Sequence, residues 1–130
     1  MATFLLDTSV IIDTINNKKS RRQLLRGLLD QGHLLACCPI NVAEIYAGLR
    51  SKEEESTQSF LASLDYYLVT FTMARLAGRL KRDFAKKGVT LSVTDTLIAA
   101  VAIEHRIFLI TDNTKGFPMK ELQLYPQSQA

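Results

Sequence analysis

Short apolar runs, each closed by a polar residue or a proline, alternate along the chain with longer segments in which apolar residues recur every three or four positions. The short runs suit buried strands, whereas the second spacing lays one apolar stripe along a helix. Residues 3–6 form the first predicted strand, which ends at Asp7, and Thr8 or Ser9 is placed to cap a helix running to about Ile15. Leu24, Leu25, Leu28 and Leu29 predict a second helix from Ser20, stopped by Gly32 before a strand over residues 33–38. Pro39 breaks that strand, Asn41 is placed to cap, and Val42, Ile45, Tyr46 and Leu49 form the next stripe, with Glu44 beside it. Residues 51–64 read as a helix with acids in its first turn, where they suit the dipole, and residues 66–70 as the third strand. A long basic amphipathic helix follows over residues 72–87, closed by Gly88, and then a far more apolar one over residues 95–105. The continuous run Ile107 to Ile110 reads as an interior parallel strand, and residues 122–125 as a weaker last one.

Strands separated by helices predict an α/β fold whose mostly parallel sheet is covered on both faces. The 130 residues fit one domain spanning the chain, and 47% hydrophobic with 22% charged residues is the balance of a globular protein rather than a disordered one. Cys37 and Cys38 are adjacent, which excludes a disulfide framework and the separated pairs of a structural zinc site, so both read as core thiols. No basic segment precedes the first apolar run and Asp7 interrupts it, so neither a signal peptide nor a membrane helix is expected and the location reads as cytoplasmic.

The ends of the strands carry the candidate chemistry, because ligands of open parallel sheets bind beyond the carboxyl ends of the strands. Asp7 closes the first strand and Asp112 follows the run 107–110 by two residues. Asp95 opens a helix apolar nearly all round, and Glu44 lies beside a buried stripe with Gly48 leaving room one turn on. Taken singly, Asp7 is equally a turn residue, Asp95 a helix cap, Asp112 an Asx turn with Asn113, and Glu44 a surface acid. Taken together they would repel one another at a cost in desolvation, which protonation or a bound cation relieves, and the hard ion Mg²⁺ suits oxygen ligands. The net charge of +3 is modest, but Lys18, Lys19, Arg21, Arg22 and Arg26 form one basic cluster and the helix over residues 72–87 another. Either alone reads as a solvated face; beside an anionic metal site, both become attractors of a phosphate backbone.

LLDTSVIID, INVAEIYAGL, SVTDTLIAAVAIEH and IFLITDNTKGF, in that order over nearly the whole chain, resemble the PIN-domain family, and within it the VapC-type toxins of toxin and antitoxin pairs. The resemblance implies a three-layer α/β/α fold and a Mg²⁺-dependent endoribonuclease, with Mn²⁺ able to substitute. It carries the metal-binding role to Asp7, Glu44 and Asp95. For the fourth acid, many relatives read T-R-N-x-x-D-F where this chain has Thr111, Asp112, Asn113 and then Gly116. Asp112 is preferred to Asn113 as the replacement, with Thr8, Ser9, Thr111 and Asn113 orienting the carboxylates or the attacking water. His33 and His105 lack partners for a catalytic dyad, and Asp13 reads as solvated or capping. The implied partners are RNA, a cognate antitoxin and a second copy of the chain in a homodimer. Two other readings compete: an aspartate-based phosphatase using Asp7, and a non-catalytic RNA- or partner-binding module, for which Gly116 speaks.

Overall fold

Side chains alternate along the central strands so that each strand feeds two apolar faces, and helices close over both. The computed structural model describes residues 1–125. Its strands are β1 (Thr3–Leu6), β2 (Leu34–Cys37), β3 (Asp65–Tyr66), β4 (Phe108–Ile110) and β5 (Gln123–Leu124), and its helices α1 (Thr8–Ile15), α2 (Arg21–Asp30), α3 (Pro39–Ala47), α4 (Glu54–Ala62), α5 (Phe71–Lys86) and α6 (Val93–His105). The sheet order is β3-β2-β1-β4-β5, and every pairing is parallel.

Leu5, Ala36 and Leu109 point to one face, where Met73, Leu76 and Leu80 of α5 and Ile98 and Val101 of α6 cover them. Phe4, Leu6, Leu35, Cys37 and Ile110 point to the other, against Val10 and Ile11 of α1, Leu25 and Leu28 of α2 and Ile45 of α3. The result is a three-layer α/β/α domain. Leu5, Leu6, Leu109 and Ile110 are fully buried, and each such side chain contributes about 1.5–3 kcal/mol through removal from water. Cys37 and Cys38 are free and buried, as expected. Among the described residues, no helix is long and apolar enough to cross a membrane.

Four expectations shift. The segment 51–64 splits into a 3-10 turn, Ser51–Glu53, and the shorter α4. The third strand shrinks to Asp65–Tyr66, because Tyr67 donates the last ladder bond to Cys37 O and Thr70 turns to cap α5, its hydroxyl accepting from Met73 N. Asp7 itself, rather than Thr8 or Ser9, is the N-cap of α1. Asn41 sits one turn inside α3 and reaches back to the N-cap backbone. The chain leaves β1 for β2 on one side, while β4 comes to lie on the other, so the C-terminal ends of β1 and β4 flank the crevice that such a switch in strand order opens.

Candidate functional site

Asp7 stands at that crevice because β1 ends there. Its backbone N–H donates to Ile110 O at 2.9 Å, tying the ends of β1 and β4 together. Its extended backbone lets Oδ1 accept from Thr8 N at 2.9 Å, and Oδ2 accepts from the buried Thr111 hydroxyl at 2.7 Å. The carboxylate is thus fixed in orientation and 7% exposed. Burial raises its pKa above the usual aspartate value; the Thr111 and Thr8 hydrogen bonds oppose the rise, and the charges of Glu44 and Asp112 add to it.

Glu44 reaches the same place from α3. Its Oε1 accepts from Thr8 Oγ1 at 2.6 Å, and that hydroxyl accepts from Asn41 Nδ2 at 3.0 Å. Asn41 is fully buried and its Oδ1 accepts from Cys38 N at 2.9 Å, so one amide fixes both the start of α3 and the hydroxyl that holds Glu44. Asp95 comes from the first turn of α6. Ser92 caps that helix by accepting from Asp95 N at 3.1 Å, leaving the half-buried Asp95 carboxylate free of capping duty. Burial raises its pKa, the Ser92 hydrogen bond opposes this, and the charges of Asp7 and Glu44 push it up further. Asp7 and Asp95 therefore both feel the charge of Glu44, and Asp95 also feels that of Asp7.

The fourth expected acid is placed differently. Asp112 Oδ1 accepts from the Arg21 guanidinium, and Lys19 Nζ stands 3.6 Å from its Oδ2. The Arg21 hydrogen bond, against a smaller effect of burial, holds its pKa below the usual value. Asp112 raises the pKa of Asp7 through space, but both its oxygens face cations rather than the other acids. Asn113 N donates to Thr111 Oγ1 at 3.0 Å, extending the chain of bonds from Asp7. Gly116 lies against Asp95: a Cβ there would fall 2.5 Å from Asn113 Nδ2 and 2.9 Å from Asp95 Oδ2. A side chain at 116 therefore needs its neighbours to move. Ser9 is exposed on the first turn of α1. His33 accepts from Ala2 N, and His105 packs on Tyr67.

Asp7, Glu44 and Asp95 offer only oxygen donors, and the charges of Asp7 and Glu44 disfavour that of Asp95 as Glu44 does that of Asp7, an arrangement whose chemistry suits a hard divalent cation. Among the described residues no three Asp, Glu, His or Cys side chains form a ready ligand cage, so the acids stand within electrostatic reach rather than in closed coordination. Asn41, Lys19 and Arg21 had no role in the sequence pattern beyond a cap and a basic cluster. An amide two residues after Pro39 was the one local hint of Asn41's bridging place.

Comparison with known proteins gives a consistent result. The PIN domain family model matches residues 4–121. The chain is 32% identical over 115 residues to "Ribonuclease VapC19" of Mycobacterium tuberculosis, covering 88% of this chain and 92% of that one. It is 26% identical to the "tRNA(fMet)-specific endonuclease VapC" of Shigella flexneri, with 90% and 91% covered. Among solved structures, VapBC2 from Rickettsia felis bound to a DNA fragment from its promoter superposes with a TM-score of 0.84 at 25% identity, over 95% of this chain and 97% of that one.

Proposed function

Because the chain belongs to the PIN-domain family, we propose that it is a metal-dependent endoribonuclease and the toxin of a toxin and antitoxin pair. The observation that carries this reading is that Asp7 at the end of β1 and Asp95 in the first turn of α6 are both raised in pKa by burial and by the nearby charge of Glu44 from α3. These three would hold Mg²⁺ or Mn²⁺, which when bound neutralises charge on a phosphodiester and makes water a nucleophile near neutral pH. Thr111 and the Thr8 amide keep both Asp7 oxygens from rotating, and Thr8, steadied by Asn41, does the same for Glu44. Ordered oxygens lose less freedom on receiving an ion or a phosphate, the advantage of a preorganised site.

RNA cleavage accords with relatives whose names are ribonuclease and endonuclease. An antitoxin partner accords with the toxin and antitoxin complexes among the structural neighbours. The test incubates purified protein with transfer, ribosomal and messenger RNA, in Mg²⁺ or in EDTA, and maps the cut ends. Cleavage in Mg²⁺ alone, lost in Asp7→Asn, is expected. RNA binding equal in both conditions with no cleavage in either would replace the enzyme by the binding module for which Gly116 speaks.

A further inference from the structure

The loop between α1 and α2 adopts an unfavourable backbone. Asn17, Lys19 and Ser20 have φ values of 56°, 57° and 56°, the left-handed region that residues with a Cβ seldom occupy, and such strain persists only where surrounding contacts impose it. The contacts are present: Lys18 N donates to Asp13 O at 2.7 Å, and the Arg22 guanidinium donates to Thr14 O and Ile15 O at 2.8 Å each. This backbone brings two cations onto Asp112. Arg21, 6% exposed, donates to Asp112 Oδ1, and its Nε is buried without a hydrogen-bond partner. Lys19 Nζ sits between Asp13 Oδ2 at 3.4 Å and Asp112 Oδ2 at 3.6 Å while its side chain stays 63% exposed.

Asp112 directly follows Thr111, whose hydroxyl holds Asp7. As a metal ligand Asp112 would have to give up one of these cations: through Oδ1 it would leave Arg21, stranding a buried guanidinium with no counter-charge, and through Oδ2 it would set a divalent ion against the Lys19 ammonium. The two acids instead fix an exposed ammonium beside an acidic centre, where a polyanion otherwise meets only repulsion. We propose that Lys19 is the cation that receives an RNA phosphate next to Asp7, Glu44 and Asp95, and that Asp112, locked by Arg21, is a positioning residue for Lys19 and not a metal ligand. This rests on the ribonuclease reading above.

The test compares Lys19→Met, Lys19→Arg, Asp112→Asn and Asp7→Asn in the full chain. Mn²⁺ affinity is titrated without RNA, binding of a fluorescent single-stranded RNA is followed in EDTA against salt, and KM and kcat are measured in Mg²⁺. Asp112→Asn is expected to keep Mn²⁺ affinity within about twofold of the parent while Asp7→Asn loses it by about tenfold or more. Lys19→Met is expected to raise KM about tenfold with kcat little changed and to lower the salt slope of RNA binding by about one, with Lys19→Arg restoring both. A tenfold loss of Mn²⁺ affinity in Asp112→Asn makes it a ligand and overturns the proposal. So does a Lys19→Met protein with parental KM and salt slope, and as an exposed site this variant stays informative even if Asp112→Asn misfolds. A parent that neither binds nor cleaves RNA removes the ribonuclease reading and this proposal together, whereas a cleaving parent with an unaltered Lys19→Met removes this one alone.

Discussion

Gly116→Ala adds a single methyl group against Asn113 and Asp95. The new carbon would lie 2.5 Å from Asn113 Nδ2 and 2.9 Å from Asp95 Oδ2, against the 3.4 Å at which ordinary contact begins. Asn113 is exposed and yields by turning its amide, at about 0.5–1.5 kcal/mol for an off-rotamer side chain. Asp95 is half-buried and must shift its oxygen from 2.9 to 3.4 Å. The folding cost is thus about 1 kcal/mol, or a melting temperature lower by about 3–5 °C in a domain of this size. The shift of the carboxylate matters more, since ligand distances tolerate only about 0.2 Å, and divalent affinity should fall about tenfold, or 1.4 kcal/mol. Calorimetric melting in EDTA and a Mn²⁺ titration separate the two effects. A small melting loss with parental Mn²⁺ affinity would remove Asp95 from the metal site, and a loss of several kcal/mol would show that Asn113 cannot move aside.

Asp7→Asn and Asp95→Asn should each abolish cleavage yet melt at or above the parent in EDTA, because burial and the neighbouring acids disfavour the charge, one pKa unit being worth about 1.4 kcal/mol; lower melting in both would contradict the electrostatic account. The same shifts set the pH dependence: with folded pKa values above the unfolded ones, the stabilisation from Asp7 and Asp95 is full below the ordinary aspartate pKa and is lost as pH rises through the raised values. Asp112, with its lowered pKa, contributes in the opposite sense, stabilising above the ordinary value and failing as pH falls through its own. Denaturant melts in EDTA between about pH 3 and 7 should therefore show an acid-side gain that shrinks in Asp7→Asn. Asn41→Ala leaves the buried Cys38 N–H unpaired and frees Thr8, at about 1–3 kcal/mol by denaturant unfolding, with kcat falling as Glu44 loses its tether; unchanged stability would refute the bridging role.

The central strands and the apolar α6 were legible because burial leaves a direct trace in composition. Asp7, Glu44 and Asp95 stand out in the sequence for a related reason, since a carboxylate next to sequence that must be buried is conspicuous. Capping was less so: whether Asp7 or Thr8, Ser92 or Asp95, accepts from a helix's first amides depends on a geometry that neighbouring polar residues could each adopt. The third strand was overread because Tyr66 and Leu68, apolar in sequence, are exposed at the sheet edge. Asp112 stands out from its place two residues after the run 107–110, whereas its orientation is set by Arg21, 91 positions away, a pairing with no local signal. Gly116 was visible as a departure from the family's motif, but not as the point where Asn113 and Asp95 close in.

The bond from Thr111 to Asp7 joins residues 104 positions apart. A ribosome adding about 5–20 residues per second takes roughly 5 to 20 seconds to cover that interval. Throughout it the nascent chain carries Asp7, and for most of it Glu44, with neither β4 nor the threonine that steadies the first acid. A chain ending between residues 96 and 106 would contain Asp7, Glu44 and Asp95 and still lack both β4 and Thr111, so the three acids precede the strand that fixes the first of them.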